Sequence, residues 1–185
     1  MKLTTRKLVL MALFVAVAVS LNYLLIYIPN VKLFNFVIFT SGYLLGAWEG
    51  AVVGTMAMFI YTTFNPYNLG MFPPLPLVAA QVFSMATMGI VGGLVFKFRL
   101  LNFSKFSAHL LMASLAIVFT LFYDLLTTLS SAFLFGKLLP TLIAGIPFTL
   151  VSLISNTIVF MVLTPLLPKL QHMLASSDQL IENGE

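Results

Sequence analysis

Cysteine is absent from these 185 residues. No disulfide, thiolate nucleophile or cysteine-held metal is available, and the redox compartment cannot be read from the chain. Charge is nearly as scarce: 8% of residues are charged, where a soluble domain carries about 25%. Motifs that announce chemistry are missing as well. No Gly-x-x-x-x-Gly-Lys-Ser/Thr is present, so the chain does not hold ATP in a P-loop. No His-Glu-x-x-His, no Gly-x-Ser-x-Gly and no series of intramembrane acids is found. His109 and His172 stand far apart, without metal-ligand spacing. We therefore expect no enzyme, no metal and no cofactor of the chain's own, and no nucleic-acid partner.

What is abundant is apolar surface. Hydrophobic residues make up 61% of the chain, more than a domain of this size could hide from water, so the solvent must be lipid. The apolar runs are continuous, whereas membrane β-strands alternate polar and apolar residues. An all-α integral membrane protein is expected, a single transmembrane domain over 1–185. About six spanning helices fit the length. Helix 1 is expected over 5–28, ended by Pro29-Asn30. Helix 2 follows over 33–47 and helix 3 over 48–64, with Gly42, Gly46, Gly50 and Gly54 at four-residue spacing through the pair. A proline-rich loop over 65–76 precedes helix 4 at 77–96. A basic loop leads to helix 5 at 108–135, and helix 6 runs over 141–167, kinked at Pro147. The acidic tail 176–185 is expected to fray. Lys2, Arg6 and Lys7 before an apolar run, with Ala16-Val17-Ala18, resemble a signal peptide, but the run continues to Ile28 and is long enough to span.

Six helices place Lys2, Arg6, Lys7, Lys97, Arg99, Lys105 and Lys169 on one side and only Lys32 and Lys137 on the other. By the positive-inside rule both termini are cytoplasmic.

Few residues could carry function in such a chain. Asp124 is the one acid well inside a helix, where a carboxylate is costly unless paired or wet. Thr120, Thr127, Thr128 and Ser131 fall near the same face. They form either the wall of an outward cavity or a helix–helix hydrogen-bond cluster with Asp124 neutral or paired to Lys137. Gln81 and Ser84 on helix 4, and Ser152, Ser155 and Asn156 on helix 6, could face the same cavity. In the outer loops, Asn30, Lys32 and Asn35 form one polar group, and Asn65, Tyr67 and Asn68 another, beside Met71, Phe72 and two prolines. Amides and rings on a proline-stiffened loop suit a lid over a small, flat ligand. Trp48 and Glu49 mark a cytoplasmic turn, with Trp48 as an interfacial anchor. Ala12, Ala16 and Ser20 recur every fourth residue on helix 1, and small residues let two membrane helices approach closely.

The opening Thr-Arg-Lys-Leu-Val-Leu-Met-Ala-Leu-Phe-Val-Ala and the stretch from Gly42 through Gly46-Ala-Trp-Glu-Gly50 to Gly54, on a small six-helix layout with both ends inside, resemble the substrate-binding S components of energy-coupling factor transporters. Over about residues 2–169 the resemblance implies a prokaryotic cell-membrane protein that binds a water-soluble vitamin. Its partners would be a transmembrane coupling subunit and two ATPase subunits, which use the ATP. In that family an Ala-x-x-x-Ala patch on the first helix docks on the coupling subunit, which Ala12 and Ala16 match and Ser20 extends. By position, the resemblance makes Gln81, Asp124, Asn156, Asn65, Tyr67 and Asn68 pocket candidates. Lys32, Asn35 and Thr128 join them on the residue reading alone. The rival reading is a stand-alone secondary transporter for a small molecule.

Overall fold

The structure, a computed structural model, describes residues 4–28, 33–68, 70–101 and 104–182, with side chains described through Ser176. Regular structure in these residues is entirely helical: α1 (Thr5–Leu24), α2 (Phe34–Leu45), α3 (Ala47–Thr63), α4 (Leu75–Lys97), α5 (Lys105–Phe135), α6 (Leu138–Leu163) and α7 (Leu166–Glu182), with one short 3-10 turn at Pro66–Asn68. Helix is the only open structure in which a lipid-facing backbone satisfies its own polar groups. Thr4 caps α1 by accepting from the Lys7 amide at 3.4 Å, and Ser104 caps α5 by accepting from the Ser107 amide at 3.2 Å.

Four helices, α1, α4, α5 and α6, are long and apolar enough to cross a membrane. The short members of the bundle are α2 and α3. With 12 residues, α2 rises about 18 Å, well short of a hydrocarbon core of about 30 Å. It survives because protein surrounds it: ten of its residues are buried, among them Asn35, Thr40 and Ser41. The Thr40 and Ser41 hydroxyls donate to the Phe36 and Ile38 carbonyls, both at 2.7 Å. Helix 1 ends four residues before the expected Ile28, and α6 four before Leu167. Past α6 the chain turns at Thr164-Pro165 and resumes as α7, which continues to Glu182, through part of the segment expected to fray. Pro168 is tolerated because it falls in the first turn of α7, where amides need no helical partner.

Contacts between connections show how the helices alternate. At one end the Tyr67 hydroxyl, between α3 and α4, donates to the Ile26 carbonyl, between α1 and α2, at 3.5 Å. At the other end Lys7, near the start of α1, reaches the α2–α3 turn, and Tyr43 bonds Gln171 of α7 at 3.4 Å. Gly46 makes that turn at φ 122°, a conformation open to glycine, and a Cβ there would also meet the Glu49 carboxylate. Gly89 of α4 seats in the notch between α2 and α3, so close that a methyl on it would overlap the Gly50 carbonyl. The hydrophobic core runs beside this three-helix unit through Phe34, Ile38, Phe39, Met85, Met88, Met112 and Phe160. The α5–α6 hairpin meets it by rings: Phe36 and Phe39 lie 5.4 and 5.6 Å from Phe160, and Phe83 lies 6.1 Å from Phe122.

Candidate functional site

All six long or central helices converge on one small, polar cavity. Asn22 of α1, Phe34 and Asn35 of α2, Met58 and Tyr61 of α3, Met85 of α4, Thr120, Tyr123 and Asp124 of α5, and Ser152 and Asn156 of α6 line it. The free space is about 20 Å³, enough for one water-sized group. Asn22, Asn35, Thr120 and Asn156 are buried, so their polar atoms are cut off from solvent at considerable cost unless partnered.

Two fully enclosed lining atoms have no hydrogen-bond partner among the described residues: Asp124 Oδ2 and Asn156 Oδ1. The amide of Asn156 is oriented by its neighbours. Thr120 Oγ1 gives its proton to the Ala116 carbonyl at 2.8 Å and accepts from Asn156 Nδ2 at 2.9 Å. A hydroxyl whose proton is committed can only accept, so Asn156 must present its nitrogen to Thr120 and its oxygen elsewhere.

Of the residues singled out from the sequence, Asp124, Asn156 and Asn35 are brought together in this cavity, with Ser152 and Thr120. Gln81 stands one layer back: it accepts from Thr62 Oγ1 at 2.9 Å and hydrogen-bonds Tyr123, which lines the cavity. Asp124 makes no ion pair with Lys137, whose side chain is exposed. Thr128 lies outside the cavity, in a mainly apolar groove of about 340 Å³ between α5 and α6 that Asp124 also borders. The Thr127 and Ser131 hydroxyls are spent on carbonyls of their own helix, at 2.9 Å each.

The loop amides bond groups nearby, and Asn65 also hydrogen-bonds Tyr61, which lines the cavity. Asn65 Oδ1 accepts from the Tyr67 amide at 2.9 Å, and Asn68 Nδ2 donates to the Thr62 carbonyl at 2.6 Å. Asn65, Asn68, Met71 and Phe72 border an open hollow of about 420 Å³, and Tyr67 is exposed. Lys32 and Asn30 lie outside the described residues.

Sequence reasoning missed two features. Asn22 enters the cavity from the end of α1, and only its amide in an otherwise apolar run hinted at it. Glu49, read as part of an interfacial turn with Trp48, is fully buried, while Trp48 is exposed. Glu49 Oε1 receives Lys7 Nζ at 2.9 Å, and its Oε2 has no protein partner. The scarcity of acids was the available signal, since only two of the five precede residue 170.

Ala12, Ala16 and Ser20 are exposed. They border an apolar groove of about 450 Å³ between α1 and α3, with Val52, Met56 and Ile60 opposite. The stripe is not consumed by packing inside this chain. No protein-family model, no curated protein and no solved structure matches the chain.

Proposed function

We propose that this chain is a small-molecule-binding membrane subunit, the S component of an energy-coupling factor type importer for a water-soluble vitamin. It would act in a prokaryotic cell membrane with both termini cytoplasmic. One observation carries the reading: a polar cavity at the meeting point of six helices, lined by Asp124 and three Asn residues, with acceptors that no protein group satisfies. A chain that only needed to pack its helices would do better with apolar contacts there. The six-helix count includes α2 and α3, with α2 shielded from lipid by its neighbours.

Energy for uptake comes from a coupling subunit and two ATPases, since this chain carries no nucleotide motif. The exposed Ala12-Ala16-Ser20 face and the groove beside it are the docking surface in this reading. A vitamin is larger than the present cavity, so binding opens the α5–α6 hairpin away from α2 and α4, where ring contacts dominate and the hydrogen bond between Gln81 and Tyr123 has to yield.

The test is uptake of the bound compound by cells that carry this chain with or without the coupling subunit and ATPases. Uptake is expected only with the partners, and Ala16→Trp should abolish it while binding by the purified chain is kept. Uptake by this chain alone would make it a secondary transporter and end the proposal.

A further inference from the structure

We infer that the group held at the centre of the cavity is a protonated primary amine, or an amino group of that size, carried by the ligand. The inference rests on reading this cavity as the ligand site, and it adds the chemistry of the part of the ligand that is read there. The two fully enclosed lining atoms without a partner, Asp124 Oδ2 and Asn156 Oδ1, are hydrogen-bond acceptors, and among the described lining residues Asp124 alone carries a carboxylate, amine, guanidinium or imidazole group. The Asn156 assignment is forced, because the committed Thr120 hydroxyl can take only the amide nitrogen.

Donors exist on the same wall, in Asn22, Asn35 and Ser152, yet none reaches either atom. Among the described residues, no Lys, Arg or His lines the cavity. The missing partner must therefore bring protons and, opposite a carboxylate, positive charge. A carboxylate or phosphate on the ligand would meet the Asp124 carboxylate, with only the neutral donors of Asn22, Asn35 and Ser152 to offset it, which is unfavourable in a low-dielectric site.

Size narrows the choice. The free space of about 20 Å³ admits a water-sized group, and a primary ammonium has that size with three donors to offer. Asp124 Oδ2 and Asn156 Oδ1 are acceptors for two of them. The rings of Phe34, Tyr61 and Tyr123 on the wall suit a cation as well. The remainder of the ligand extends from this anchor into the space that opens when the hairpin moves.

Thermal unfolding of the detergent-solubilised full chain tests this with three probes of one shape: benzylammonium, benzyl alcohol and benzoate, each at millimolar concentration. A ligand that binds only the folded chain raises Tm as its concentration rises. Benzylammonium should do so, and the alcohol and the carboxylate should not. In Asp124→Asn, an isosteric change, the benzylammonium concentration needed for the same shift should rise about tenfold or more, as expected for a lost charge-assisted bond. Equal stabilisation by benzoate or benzyl alcohol would overturn the amine assignment while leaving the cavity a ligand site. No response to benzylammonium in the unmodified chain would also overturn it and leave a buried water as the occupant. The wider proposal falls only if, in addition, no small molecule co-purifies with the chain.

Discussion

At the scale of single residues, the buried carboxylates decide most. Glu49 is fully buried and Lys7 is its partner, with the Lys7 side chain 31% exposed. Removing one member of a fully buried pair costs about 3–5 kcal/mol, and the partial exposure of Lys7 lowers that. Lys7→Ala should therefore destabilise the chain by about 2 kcal/mol, because it strands a buried charge. Glu49→Gln should cost less, since Lys7 can turn to solvent, and the double variant should be more stable than Lys7→Ala alone. Thermal unfolding in detergent reads all three. Asp124 stood out in the sequence because an acid deep in an apolar run is costly, although a helix–helix hydrogen-bond cluster remained the other reading. Glu49 was not, because its depth depends on the turn at Gly46 folding the α2–α3 hairpin back so that Lys7 of α1 lies against it. The backbone bonds of Asn65 and Asn68 were equally hidden, since a loop amide in a sequence does not show which neighbours it meets.

At the scale of elements, glycine sets how close α2, α3 and α4 come. Gly89 has no room for a methyl against Gly50, and overpacking of a tight contact costs about 1–3 kcal/mol or more. Gly89→Leu should lower Tm sharply or prevent folding. Gly145→Ala on α6 is the control: its Cβ would meet only the Thr128 hydroxyl, at 3.9 Å, and a helical Gly→Ala change is favourable by about 0.5–1 kcal/mol. Thermal unfolding of both separates close packing from helix propensity. The four-residue glycine spacing made this packing legible in advance. The length of α2 was less so, because hydropathy reports how apolar a segment is and not whether lipid or protein surrounds it. The start of α7 at Leu166 was hidden by Pro165 and Pro168, which read as breakers although Pro168 falls in a first turn.

At the scale of the whole molecule, orientation and the site can be tested separately. The absence of cysteine makes single-cysteine labelling clean. Tyr67→Cys and Phe98→Cys replace exposed residues at the loops after α3 and α4. If the basic side faces the cytoplasm, a membrane-impermeant maleimide should label position 67 on intact cells and position 98 only after permeabilisation; the reverse pattern would invert the topology. Asn35, read from the sequence as part of an outer loop group, enters the Asp124 cavity from the first turn of α2. The helical class and the meeting of Asp124 with Ser152 and Asn156, by contrast, could be drawn from composition and spacing. The contribution of Asn22 could not, because it depends on how α1 is rotated against α3, and an apolar helix with no marked polar face leaves that rotation to packing. The central claim is that the cavity lined by Asp124 holds a ligand. Its most direct test is mass spectrometry of small molecules extracted from the purified full chain, run beside Asp124→Asn. The account predicts a water-soluble compound retained by the unmodified chain and largely lost from the variant. Retention of nothing but lipid and detergent, or equal retention by both proteins, would contradict it.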